Sequence, residues 1–448
     1  MLIENLTWPL TIAHRGARST APENSLEAVA AAVDAGSELI EIDVHLAADG
    51  SLVLCHDTTL TRTHGVTRTV AGLTATAVKR WPIRSASQLG LTGWPDVPTV
   101  TLSEVFARFA GAPVAWLIEA KYPASPTDAQ LDAVGDAIVR EVVRWDLADS
   151  VIVQSFQRRP GLRAIAAGLP AGYIETAGGS DPRDLAAQGF DYYGMRKDAP
   201  AERIAAAVGA GLRPLVYTVL RRSERDLALA QGAAGIVTDD PLYLSDHAPG
   251  PDLYQLGTWP HGHLPSPVNP VKGVLAGAAL EMAPSRMETG VPENYTAAVL
   301  GSASHGTPPA SWTWDVQVAL LEATNSTRSA QIQICMDSDV GYHDEDHTRV
   351  GAYNILLRPN GTLDVYLADP DNAGGTAPRL ATASGPAVPV STSPVYVTLG
   401  IEVTPTQITV RRRGTSIAAT ATHAKYRGGY VGVGVRSVRA RFVPGSRT

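Results

Sequence analysis

The chain has 448 residues, a formal net charge of -7, and 44% hydrophobic against 18% charged residues. That length exceeds what one hydrophobic core usually organises, so two domains are expected. The acidic balance excludes the basic footprint of nucleic-acid binding and a polybasic membrane patch. Two cysteines, Cys55 and Cys335, lie far apart in sequence, which excludes a disulfide framework or a zinc cluster as the source of stability. No run reaches about 18 uninterrupted apolar residues, so no membrane span is expected. The opening "MLIENLTWPL" lacks a basic stretch followed by a long apolar one, so no secretion signal is expected. The cytoplasm is then the default location, with a phage particle or an unconventional export route as alternatives.

In chain order, short apolar runs alternate with Ala-rich amphipathic ones. The apolar runs are "LTIAH" (10–14), "ELIEIDV" (38–44), "LVLCH" (52–56), "VAWLIEA" (114–120), "VIVQSF" (151–156), "AGYIE" (171–175), "FDYYGM" (190–195), "RPLVYTV" (213–219) and "GIVTD" (235–239). Between them lie helical patterns such as "SLEAVAAAVDAG" and "TDAQLDAVGDAIVREVVRW". Several end in Gly, the usual helix stop. Strand–helix alternation over this length predicts parallel βα units, and eight of them close a TIM-type (βα)8 barrel. Nine runs are one too many. "LVLCH" follows its predecessor after only "HLAADGS", too short for a parallel crossover, and Asp49-Gly50 suits a hairpin. The run 52–56 is therefore expected to be an antiparallel extra.

From about residue 246 the texture changes. "HAPGPDLYQLGTWPHGHLPSPVNP" is rich in Pro, Gly and His and reads as a linker over 247–270. Alternating runs follow, among them "SWTWDVQVALLEA", "SAQIQICM" and "GGYVGVGVRSVRARFV", with turns at Asn360-Gly361 and Arg413-Gly414. Many short strands joined by hairpins predict an all-β sandwich of jelly-roll type. The expected domains are a barrel over 1–246, the linker, and a sandwich over 271–448. Trp312 and Trp314 alternate and so share one strand face. "YHDEDHT" (342–348) is expected to be a solvated acidic loop rather than a metal site.

Chemistry concentrates where the barrel strands end. The first run ends in His14-Arg15. The second carries Glu41 and Asp43 two apart, so both carboxylates face one way. The hairpin run ends in His56-Asp57, and "LIEAKY" carries Glu119 and Lys121, again two apart. In a βα barrel these C-terminal strand ends form the active-site rim. Three carboxylates make a hard oxygen site for one divalent cation, Mg²⁺ or Ca²⁺; without one they would raise one another's pKa values. Arg15 and Lys121 supply positive charge and donors for a phosphate. Two histidines flanking a phosphorus atom can deprotonate a nucleophile and protonate a leaving alkoxide. Together they predict metal-assisted phosphodiester cleavage.

With these residues in place, "IAHRG…PENSLEAV…ELIEIDVHLAADGSLVLCHDTTLTRTHGV…LIEAK…VQSF…GIVTDDP" resembles the glycerophosphodiester phosphodiesterase family over about residues 10–245. The resemblance implies a βα barrel that hydrolyses glycerophosphodiesters to an alcohol and glycerol 3-phosphate. It implies Glu41, Asp43 and Glu119 as metal ligands, His14 and His56 as the acid/base pair, and Arg15 and Lys121 as phosphate binders. It also implies that Glu23 and Asn24 form a loop that buttresses the site. His45, on the face of Glu41 and Asp43, is a further supporting candidate. Ser155, Phe156 and Tyr217 are candidates for the substrate side. Near the seventh barrel strand the family usually carries Trp-Thr-Val-Asn, where this chain has Tyr217-Thr218-Val219-Leu220. That departure bears on the alcohol more than on catalysis.

The sandwich resembles concanavalin-like jelly rolls in pattern only, so carbohydrate binding and a packing or oligomerisation role both stand as expectations for it. The expected partner is a small glycerophosphodiester. The alternative is a glycerol-phosphate polymer such as teichoic acid, reached through the sandwich. A non-catalytic carbohydrate-binding protein and a sphingomyelinase-D-like phospholipase are further alternatives. The complete set of seven site residues argues against the first of these, and Glu119-x-Lys121 with the "PENS" loop against the second.

Overall fold

The computed structural model describes residues 2–18, 21–84, 95–175, 179–220, 222–245, 272–276, 279–283, 295–302, 310–337, 350–372 and 376–447. The expected linker (247–270) and the acidic loop "YHDEDHT" lie outside the described residues. Two compact units are present, one within Met1–His247 and one within Ala248–Thr448.

The strands of the first unit are β1 (Leu10–Ala13), β2 (Leu39–Leu46), β3 (Leu52–Leu54), β4 (Ala115–Ala120), β5 (Val151–Ser155), β6 (Ala171–Ile174), β7 (Tyr192–Arg196), β8 (Arg213–Tyr217) and β9 (Gly235–Thr238). Their order is β1-β9-β8-β7-β6-β5-β4-β2-β3, and β1 also pairs with β2. Eight parallel strands therefore close a barrel, as expected from the alternation of strands and helices. β3 pairs antiparallel with β2, Val44 opposite Leu54 and Leu46 opposite Leu52. It lies outside the closed ring, as the short Asp49-Gly50 connection requires.

Side chains two apart on a strand share a face, and the barrel interior follows that rule. Leu10, Ile12, Leu39, Ala115, Leu117, Ile152, Tyr192, Leu215 and Val237 form one buried cluster. The opposite faces, with Ile40, Ile42, Trp116, Ile118 and Val153, pack with helix residues such as Val29, Val134 and Ile138 in a second, larger core. Parallel strands covered on both faces read as nearly continuous apolar runs, which is why the barrel strands were legible.

The turn from β1 into the first helix, Leu26–Asp34, is built for close approach. Gly16 adopts φ 77°, and a Cβ there would lie 2.5 Å from the Ala28 carbonyl carbon. Only Gly fits that corner. Ser25 caps the helix, accepting from the Ala28 amide at 3.0 Å and donating to the Pro22 carbonyl at 2.6 Å. Such a cap is worth about 1 kcal/mol.

In the second unit all described strands pair antiparallel, in a seven-stranded and a six-stranded sheet. Both contribute to one core. Trp314, Val316, Val318 and Leu320 come from one sheet; Ile332, Ile334, Ile355 and Val365 come from the other. Trp312 and Trp314 do share a face, and that face is buried in the core. Strands at Lys272–Ala276, Ala279–Ala283, Tyr295–Ser302 and Arg379–Ala383 were not anticipated, because their sequences lack sustained alternation.

Candidate active site

The inward faces of the barrel change character toward one end. Leu10 and Ile12 are followed by His14, and Leu39 by Glu41, Asp43 and His45. Ala115 and Leu117 lead to Glu119 and Lys121, and Val237 leads to Asp239. Alternation that fills the barrel with apolar side chains thus delivers charge at the C-terminal strand ends. A cavity opens there, with about 340 Å³ of empty space that includes open solvent. It is lined by His14, Glu41, Glu119, Gln154, Phe156, Ile174, Gly194, Leu215, Tyr217 and Val237.

Glu41, Asp43 and Glu119 are buried and each offers an oxygen within 4.8 Å of the others. Their partners fix two of them more than the third. Asp43 Oδ2 accepts from Asn24 Nδ2 at 2.8 Å, and the Asp43 amide donates back to Asn24 Oδ1 at 3.0 Å. Arg15 Nε lies 3.1 Å from Asp43 Oδ2. Lys121 Nζ lies 3.1 Å from Asp43 Oδ1 and also contacts Glu119. Glu41 Oε2 accepts from the Arg15 amide at 2.8 Å, whereas Glu41 Oε1 is buried with no hydrogen-bond partner among the described residues. Three carboxylates face two cations. Against burial, Lys121 and Arg15 hold Asp43 well below the usual carboxylate range. Burial, Asp43 and Glu119 push Glu41 well above it. Burial also raises Glu119. A buried, unpartnered carboxylate oxygen within a net-negative trio fits a hard divalent cation.

Backbone strain gathers at the same place. Arg15 (φ 56°) and Asn24 (φ 55°) both adopt left-handed conformations without being Gly. Each costs on the order of 1 kcal/mol. The Asn24 amide donates to the Arg15 carbonyl at 3.0 Å, so the two strained residues hold each other.

Each histidine rests on a carboxylate. His14 Nδ1 donates to Asp239 Oδ1 at 2.6 Å, and His56 Nδ1 to Asp57 Oδ1 at 2.7 Å. A carboxylate at Nδ1 selects the Nδ1–H form and leaves Nε2 as the lone-pair nitrogen of the neutral ring. Burial and the Arg15 guanidinium push His14 down to about 4, against the pull of Asp239. His56 is more open, its side chain 34% exposed. His45 Nε2 donates to the His56 carbonyl at 3.3 Å, so His45 supports the His56 backbone.

The remaining expected residues separate by position. Phe156 and Tyr217 line the cavity and meet edge to face at 6.3 Å. Lys121 Nζ lies 5.8 Å from the Phe156 ring centre. Burial and Glu119 push the Tyr217 phenol up to about 12, so it stays neutral. Ser155 is buried, with its hydroxyl donating to the Ala120 carbonyl at 3.0 Å, and it is not among the cavity-lining residues. Glu23 accepts from Arg15 and Arg62 at 2.7–3.0 Å. Asp239, Arg18, Arg62 and Gln154 were assigned no role from sequence. Asp239 was within reach, because it ends the "GIVTD" run as His14 ends the first.

Residues 14–243 match the family described as the glycerophosphoryl diester phosphodiesterase family. A glycerophosphodiester phosphodiesterase of Caldanaerobacter subterraneus subsp. tengcongensis is 26% identical over 241 residues, 52% of this chain and 94% of that protein. Another, from Bacillus subtilis, is 24% identical over 250 residues, 52% of this chain and 84% of the other. Among solved structures, an Oleispira antarctica phosphodiesterase in complex with sn-glycerol-3-phosphate aligns with 53% of this chain and 95% of its own. Its identity is 23% and the TM-score is 0.47. The family match ends at residue 243, so the second unit lies outside it.

Proposed function

The chain belongs to the glycerophosphoryl diester phosphodiesterase family and is a phosphodiesterase; from that premise we propose that its barrel cleaves a small glycerophosphodiester to an alcohol and glycerol 3-phosphate. In this proposal Glu41, Asp43 and Glu119 hold one divalent cation, Mg²⁺ or Ca²⁺, and His14 and His56 move the protons. The observation that carries it is Glu41 Oε1, buried with no hydrogen-bond partner among the described residues, within a trio of carboxylates of which Glu41 and Glu119 line one cavity with His14.

When bound, such a cation neutralises the carboxylates and polarises the phosphate. Arg15 and Lys121 add fixed donors beside it. His14 is unprotonated at neutral pH, since its pKa is pushed down to about 4. With Nδ1–H committed to Asp239, Nε2 takes a proton from water or from the glycerol 2-hydroxyl. The second course gives a cyclic phosphate first. His56, oriented by Asp57, acts as the acid in its doubly protonated form: Nδ1–H stays on Asp57 and the Nε2 proton passes to the departing alkoxide, leaving the neutral ring. Phe156, Ile174, Leu215, Tyr217 and Val237 form a largely apolar wall for the carbon skeleton.

Product analysis tests the proposal. Glycerophosphocholine and a glycerol-phosphate polymer are incubated with the protein, with and without EDTA. Release of glycerol 3-phosphate from the small diester, lost with EDTA and restored by Mg²⁺ or Ca²⁺, is the expected result. Faster turnover of the polymer moves the substrate to a glycerol-phosphate chain. No turnover of either by folded, cation-supplied protein overturns the proposal.

A further inference from the structure

The two histidines are joined by a chain of charged groups that the proposed reaction does not by itself require. Asp239, which holds His14, lies 3.7 Å from Arg18 Nε through its Oδ2. Asp57, which holds His56, accepts from Arg62 Nε at 2.7 Å and from Arg62 Nη2 at 3.2 Å. Both arginines then reach the same carboxylate. Arg18 Nη2 is 3.5 Å from Glu23 Oε2. Arg62 Nη1 donates to Glu23 Oε2 at 3.0 Å, and Arg62 Nη2 to Glu23 Oε1 at 2.7 Å. Arg15 Nη1 adds a third guanidinium, 3.0 Å from Glu23 Oε1.

Glu23 is therefore a buried anion inside a ring of three arginines, 1% exposed. Burial alone would push its carboxyl up, yet Arg18, Arg62 and Arg15 draw it down to about 2. The elements it joins are far apart in the chain. Glu23 lies in the loop before the first helix. Arg62 lies in the short helix Thr61–His64 after β3, and Asp239 directly follows β9.

We propose that Glu23, acting through Arg18 and Arg62, holds Asp239 and Asp57 in place together, so that His14 and His56 are oriented as one coupled unit. Arg18, Arg62, Asp239 and Asp57 are then positioning residues, which act through the two imidazoles. The physical reason is geometric. A carboxylate fixes an imidazole's tautomer and ring plane only if it is itself fixed. The planar guanidinium of Arg62 spans Asp57 and Glu23 at once and locks both. Groups that share one anion shift together, so a change on one arm is felt on the other. This inference rests on the assignment of His14 and His56 as the proton-transfer pair.

A double-mutant cycle tests it. R18M, R62M and the double variant are compared for kcat and KM on glycerophosphocholine, with circular dichroism to verify folding. In parallel, histidine-labelled, EDTA-treated protein is followed by NMR at the imidazole Nδ1–H protons. Each single substitution is expected to lower kcat roughly 10-fold with KM within about twofold. The double is expected to lose about 10- to 20-fold rather than 100-fold, because either change alone already shifts the shared anion and so disturbs both arms. R18M is expected to move the His56 signal as well as that of His14, and R62M the reverse. Losses that multiply to about 100-fold, with each substitution moving only its own histidine's signal, overturn the coupling. If R18M does not fold, E23Q serves in its place: both signals move together, or the proposal fails. The NMR arm needs no turnover, so it decides the coupling even if glycerophosphodiesters prove not to be substrates.

Discussion

At the barrel mouth, Glu41, Asp43 and Glu119 lie buried against two cations, and Glu41 keeps an oxygen without a hydrogen bond among the described residues. In the second unit, Lys425 Nζ contacts both oxygens of Asp369 at 2.7 Å and Asp371 at 2.9 Å, and Tyr426 donates to Asp369 at 2.6 Å. The residue types are similar and each cluster is short of one positive charge, but the burial is opposite. The second cluster closes on itself, with its cation supplied by the chain and much of it in water. The first leaves negative charge uncompensated out of water, an arrangement that costs stability until something positive is added. Acidic residues near one another therefore say little; a buried deficit says much.

The sharpest way to break this comparison is to remove the deficit. E41Q should lower turnover by more than about 10³-fold and abolish cation binding measured by calorimetry. It should also alter stability in a defined direction. Glu41 has a folded pKa raised above its ordinary 4.5, so its contribution is fully present below about pH 4.5 and is lost as the pH rises through the folded value. In EDTA, the melting temperature of E41Q minus that of the wild type should therefore grow as the pH rises above about 4.5. A difference that stays flat or shrinks would show that Glu41 is already compensated.

H14A should follow, with a loss of about 10² to 10⁴ in kcat and an unchanged far-ultraviolet spectrum. Near-wild-type turnover would remove His14 from the chemistry. A third test uses a histidine away from the rim. His64 is held between Thr63 Oγ1 at 2.7 Å and Thr99 Oγ1 at 2.9 Å, and burial lowers its pKa from 6.5 to about 4. Its contribution is fully present above about pH 6.5 and declines as the pH falls toward 4, by at most about 3 kcal/mol. Denaturant titrations of the wild type and H64N across that window should show a steeper acid loss in the wild type; parallel curves would exclude the effect. The smallest change is expected from K425M. Exposed ion pairs contribute little, so turnover should stay within about twofold and melting should shift by no more than about 4 °C. A large loss of activity would mean that the second cluster, too, takes part in the chemistry.

Much of the barrel was legible because its signals are local. Apolar runs, Gly stops and the Asp49-Gly50 hairpin each act over a few residues. Glu41 with Asp43, and Glu119 with Lys121, were legible because a spacing of two on a strand fixes a shared face. The sandwich was legible where alternation was sustained, as in Trp312–Ala323, and not where short strands such as Arg379–Ala383 lack it. The partners of the histidines were harder. Asp57 adjoins His56, but Asp239 is 225 residues from His14, and nothing in either segment refers to the other.

The sequence alone determined the strand-and-helix alternation, the polar strand ends and the residue types able to bind a cation and a phosphate, because periodicity and turn chemistry operate within a few residues. The tertiary structure decided which charges balance. Ring closure brings β9 beside β1 and so places Asp239 on His14. The packing of the helix Thr61–His64 brings Arg62 onto Glu23, 39 residues away. The fold leaves Glu41 Oε1 buried with no hydrogen-bond partner among the described residues. Burial and pairing depend on what lies across the barrel, and that distance is not written along the chain.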